Sequence, residues 1–233
     1  MGEIMDGIDV GFDFRTDSNG LDSDSASPTL RKYHQRLWSK PLPSGLHLTL
    51  KEEAGFYLSG SAGALNLSLS SDSISNSMAG HNSLTTFVAD LPQGLVEEFK
   101  SVGSTIGSRI LFPANRVGGK PTINVARGFH PRIKDRFDLT LECVRLFYRN
   151  QHSPLTSVFS RYKEFFNLFE TFEGYVNFFL VQDLVQNSKV KFFTEISEPF
   201  SSAPSPANIK EYLLYASRSM EFVSNRNERI RQL

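Results

Sequence analysis

Apolar residues recur along the chain with two periods, one in each half. In the first half, residues 46–50 (LHLTL), 56–58 (FYL) and 64–70 (ALNLSLS) place Leu or an aromatic at every second position. That is the rhythm of half-exposed antiparallel strands. Residues 8–14 (IDVGFDF) show it too, with Val10, Phe12 and Phe14 on one face, and 105–112 (TIGSRILF) reads as a buried strand. TINV (122–125) and Lys189–Glu195 are expected to be short strands. Helical spacing first appears after Ser27-Pro28, where Leu30, Tyr33, His34 and Leu37 follow at i, i+3, i+4, i+7 until Pro41 and Pro43 stop the helix. Residues 83–102 read as one broken or two short helices ending at Gly103.

In the second half the helical period dominates. From Pro131 to about Asn150, Ile133, Phe137, Leu141, Val144 and Tyr148 form one apolar row, and Leu139, Cys143 and Leu146 form another. Apolar rows on both sides predict a largely buried helix. Ser153-Pro154 opens a further helix with an aromatic face, 172–185 is apolar nearly all round, and Ser205-Pro206 opens the last helix, whose charged end is expected to be a solvated tail. The expected fold is α+β: a mixed or antiparallel N-terminal sheet packed against a Phe-rich helical C-terminal half. It is expected to be one domain over 1–233, sheet-rich at 8–127 and helix-rich at 128–230.

Composition sharpens this picture in three ways. The 20 Phe among 233 residues imply a large aromatic core. Lys+Arg and Asp+Glu are both 25, which argues against a bulk polyanion binder, so any phosphate binding must be local. The single cysteine, Cys143, excludes an intrachain disulfide and a multi-thiolate metal site. No apolar run approaches the ~20 residues of a membrane span and the start of the chain resembles no secretory signal, so a cytoplasmic protein is expected.

The chemistry concentrates between Arg109 and Arg149. Arg116, Lys120, Asn124 and Arg127 surround Gly118-Gly119, which is expected to be the turn of a hairpin. Lys120 is followed by Pro121 rather than by a hydroxyl residue and a helix, so this is no P-loop, though a local anion nest fits. His34 and Lys40, on the Arg31–Lys40 helix beside Trp38, could form a second wall of an anion site. Asp138 and Glu142 are like charges at i, i+4, a candidate acid/base pair, with Arg127, Arg132 and Arg136 as neutralising partners. The bland alternative is a salt-bridge seam. Asp17, Asp22 and Asp24 lack the Gly and Glu of an EF-hand loop, and no metal site is assigned.

The blocks TLRKYHQRLWSKPLPSG, LSSD, ILFPANR, TINVARGF, DRFDLTLECVR and GYVNFFLVQDLV resemble an uncharacterised bacterial family known only as a domain of unknown function, over roughly residues 10 to 230. The resemblance implies a bacterial or phage-encoded intracellular protein and no activity. On the residues themselves, the expected function is binding, extending to processing, of a nucleotide or nucleic-acid phosphate, with Arg116, Lys120 and Arg127 as clamps and Asp138 or Glu142 as the acid/base or metal ligand. The competing expectation is a non-catalytic interaction or structural protein whose charged rows are seams.

Overall fold

The computed structural model describes residues 7–52, 58–76, 87, 89–201 and 203–233. Three short helices come first, α1 (Arg15–Ser18), α2 (Ser23–Ala26) and α3 (Pro28–Trp38). An antiparallel sheet follows in the order β1 (Leu48–Glu52), β2 (Leu58–Ala62), β3 (Leu65–Ser73) and β4 (Arg109–Pro113), with α4 (Leu95–Val102) before β4. The remainder is mostly helical: α5 (Ile123–Phe129), α6 (Phe137–Tyr148), α7 (Thr156–Phe159), α8 (Lys163–Asn167), α9 (Phe172–Phe178) and α10 (Ile209–Arg231). Two-residue strands β5 (Val185–Gln186) and β6 (Lys189–Val190) form a small separate ladder. The α+β expectation is met, with the sheet wholly antiparallel.

Register explains how the sheet meets the helices. Leu58 and Leu69 pair between β2 and β3, and Leu69 then pairs with Pro113 of β4. Residues 70–73 of β3 run past the described end of β2 and pair with β4. Their other edge is met by side chains. Asp24 of α2 accepts from the Ser71 backbone N–H at 2.5 Å and from the Ser71 hydroxyl. A carboxylate from α2 is thus tied to the backbone and side chain of β3.

The aromatic core is built where α6, α8 and α9 meet. Phe159, Phe165, Phe166, Phe169, Tyr175 and Phe179 have ring centroids 4.8–6.5 Å apart, mostly tilted or edge-to-face. Trp38 of α3 joins them through Phe178 and Phe179, which links the two halves in one hydrophobic core.

Several elements differ from expectation. Residues 8–14 form no strand; Phe12 N–H turns back to the Asp9 carbonyl and Phe14 N–H donates to Ser104. Val10 and Phe14 are buried all the same, so the alternation marked core anchors in a turn. TINV is helical: the Thr122 hydroxyl caps the Val125 N–H, and capping overrides the β-branched preference. The long helix starts at Phe137, because Lys134 and Asp135 adopt φ of 43° and 64°. The 172–185 helix stops at Phe178, and Leu180 at φ 57° turns the chain. The C-terminal tail is no tail: α10 runs to Arg231 and buries Arg226 and Ile230. The expected helix before Leu91 and residues 56–57 lie mostly outside the described residues.

Gly174, in the first turn of α9, has no room for a side chain, because a Cβ there would overlap the Phe169 carbonyl oxygen. Backbone cannot step aside as a flexible side chain can. Gly174→Ala should therefore cost roughly 1–3 kcal/mol or more in urea unfolding, against a gain of up to ~1 kcal/mol for a free helical glycine.

Candidate functional site

The eight candidate residues divide into four environments. Arg127 is fully buried on the inner side of α5. Its Nη1 donates to Asp72 Oδ2 of β3 at 2.5 Å and to Asp135 Oδ1 at 2.7 Å. Nη2 donates to the Asp135 carbonyl at 2.8 Å, and Nε to the Thr140 hydroxyl of α6 at 3.1 Å. Asp135 is held in turn by Asn76 Nδ2 at 2.8 Å. Burial opposes the guanidinium charge, but Asp72 and Asp135 outweigh it and the Arg127 pKa rises. Burial pushes the Asp72 carboxyl upward, with Arg127 opposing it.

Asn124, one turn earlier, donates to the Ser70 hydroxyl at 3.1 Å, so it too faces β3. Ile123 and Arg127 point inward while Val125 and Phe129 point outward, as i, i+4 pairs on opposite sides of a helix must. The expected hairpin is in fact a loop followed by a helix. That change of period separates residues that a hairpin would have kept together.

Asp138 and Glu142 are buried in α6, but each has its own arginine. Asp138 takes both Nε and Nη2 of Arg136 and also accepts from the Phe193 N–H at 2.8 Å. Arg136 Nη1 continues to the Thr194 hydroxyl and the Pro204 carbonyl, both at 2.8 Å. Glu142 is held bidentately by Arg145, at 2.7 Å for each bond. Of the three arginines expected opposite this pair, only Arg136 engages it; Arg127 goes to β3 and Arg132 to the Phe200 carbonyl. Like charges at i, i+4 are thus neutralised one by one.

His34 and Lys40 belong to the core around Trp38. Trp38 Nε1–H donates to His34 Nδ1 at 3.1 Å, which fixes the proton of the neutral ring on Nε2. Burial, with Arg109 and Arg226 nearby, pushes the His34 pKa down to about 3. Lys40 Nζ donates to the Phe178 carbonyl at 2.8 Å and lies 4.8 Å from the Trp38 ring centroid. Burial lowers its pKa to about 8. Arg226 is a buried cation that the sequence did not single out. It donates to the carbonyls of Phe179, Gly107 and Arg109 and stacks near Trp38, and burial pushes its pKa down to about 9.

Arg116 and Lys120 stand apart on the exposed loop around Gly118-Gly119. The expected site, with both its walls, is therefore dispersed: Arg127, Asp138 and Glu142 are enclosed in ion pairs, while Arg116 and Lys120 face outward. A cavity of about 10 Å³ at His34, Asp24, Ser70 and Ser71 is the size of one water. A cleft of about 460 Å³ between α10 and residues 191–196 contains none of the eight. Among the described residues no group of three or more His, Cys, Asp or Glu could hold a metal ion, and no helix is long and apolar enough to cross a membrane.

A model of the family of unknown function DUF6994 matches residues 8–230. The chain belongs to this family. No curated protein and no solved structure matches it. The match covers the sheet, the aromatic core and every ion pair described above.

Two buried groups give a pH test of this interior. Burial raises the Asp24 pKa from 3.8 to about 6, so the folded state binds the proton more readily than the unfolded chain, and this contribution to stability grows as pH falls through 6 toward 3.8. The depressed His34 pKa does the opposite: stability is lost as pH falls from 6.5 toward 3. In the wild type the two oppose each other. Asp24→Asn should lose more stability than the wild type between pH 7 and 4.5, by on the order of 1 kcal/mol in urea unfolding. Parallel curves for the two proteins would show that Asp24 does not titrate in this range.

Proposed function

We propose that this is a non-catalytic binding protein whose buried charged rows are structural seams. One observation carries the reading: Asp138 and Glu142, the candidate acid/base pair, are each occupied by an arginine of their own helix segment. A general base must reach its substrate proton directly or through one water. A carboxylate that is 0% exposed and shared between a guanidinium and a backbone N–H lacks that access. Function then belongs to outward surfaces, and the phosphate-binding expectation survives only where Arg116 and Lys120 face solvent.

Thermal unfolding with millimolar magnesium, manganese and a mononucleotide panel tests this. A ligand at one hundred times its Kd stabilises the folded state by about 2.7 kcal/mol, which is several degrees in melting temperature. Seams predict no stabilisation that depends on Glu142. A metal- or nucleotide-induced rise that disappears in Glu142→Gln would restore a catalytic or metal-binding role.

A further inference from the structure

The stretch from residue 99 to residue 134 contains no Asp or Glu and seven Lys or Arg, in a chain whose formal net charge is zero. Two of those cations, Arg109 and Arg127, are directed into the fold. Arg116, Lys120 and Arg132 are exposed. They flank α5, whose outer face carries Val125 and Phe129. Phe129 is 86% exposed, the most exposed large hydrophobic among the described residues. An exposed phenyl ring offers a flat π-face on which another ring can stack.

The platform beneath these groups is fixed. The Tyr162 hydroxyl donates to the Asn115 carbonyl at 2.9 Å, and Arg161 Nη2 to the Pro121 carbonyl at 2.7 Å, so the basic loop is held at both ends by the helical half. Between these points Gly118 and Gly119 take φ of 60° and 69°, which lets the loop turn tightly and bring Arg116 and Lys120 to one connection. The inner side of α5 is held by Arg127 and by Asn124. The backbone that carries the cations and the ring is thus held in place before binding.

We propose that this face binds single-stranded nucleic acid: Arg116, Lys120 and the N–H groups of Arg132 other than the one on the Phe200 carbonyl take backbone phosphates, and an unpaired base stacks on Phe129. The inference rests on the reading that the protein acts by binding. Its chemistry is that of sequence-tolerant single-strand recognition, a basic track beside an aromatic ring. An anionic membrane fits less well, because a seven-residue helix offering only Val125 and Phe129 has too little apolar face to embed. A second copy of the chain would bring like charges together.

Fluorescence anisotropy with a labelled 20-nucleotide single strand at about 50 mM salt tests the proposal. We expect saturable binding, with log affinity falling against log salt at a slope of about −2 for three phosphate contacts. Arg116→Ala or Lys120→Ala should each reduce that slope by about 0.7. Phe129→Ala and Phe129→Leu should weaken binding about tenfold and leave the slope unchanged, while Phe129→Trp should retain it. All of these side chains are exposed, so the variants should fold. Absence of binding, equal affinity for a duplex of the same length, or an unchanged affinity in Phe129→Ala each overturns the proposal. Tighter binding to anionic vesicles than to the strand, lost in Phe129→Ala, overturns it in favour of a membrane. The strand is then run on a denaturing gel. Cleavage that Glu142→Gln abolishes would sink the non-catalytic reading and leave this surface standing, whereas failure to bind would sink the surface alone.

Discussion

A guanidinium excluded from water must find acceptors for its N–H groups within the protein, and Arg127 finds them on three separate elements. Asp72 and Ser73 come from the sheet, Asp135 from the turn before α6, and Thr140 from α6 itself. The same group thereby decides where α5 lies against β3 and how α6 begins. Lys134 and Asp135 hold left-handed backbone conformations that few residues other than glycine adopt readily. The Asp135 carbonyl and carboxylate both bind Arg127, which is what makes that turn worth its strain.

Similar arrangements recur at lower density elsewhere. Arg136 and Asp138 attach the start of α6 to residues 193–204, and Arg226 gathers three carbonyls between α9, β4 and α10. Each buried arginine crosses a boundary that the Phe-rich core leaves open, because aromatic packing is tolerant of direction while a forked donor is not. The core supplies most of the apolar burial, and the arginines fix which surfaces meet. An interior organised in this way commits its buried guanidinium and carboxylate groups to one another and to backbone carbonyls.

How far the sequence revealed this depends on the distance between partners. The strands at Leu48–Glu52 and Leu65–Ser73, the helix at Pro28–Trp38 and the Phe-rich core follow from local periodicity, which the chain carries in plain view. The seam reading of α6 was open to inspection too, since Glu142 and Arg145 are three positions apart. Arg127 was not legible, because Asp72 is 55 positions away and nothing near Arg127 announces it. TINV misled because β-branched residues favour strands, while the deciding feature was one hydroxyl placed to cap a helix. A strand over TINV gives Phe129 no outward direction, whereas the helix turns Arg127 inward and Phe129 outward.

The most direct test is a double-mutant cycle between Arg127 and Asp72, read by urea unfolding. If the buried guanidinium organises the junction, Arg127→Met costs about 3–5 kcal/mol by leaving two carboxylates without their cation. Adding Asp72→Asn then costs less than it does alone, with a coupling energy of roughly 1–3 kcal/mol. Near-wild-type stability for Arg127→Met, with the two substitutions strictly additive, would contradict the account.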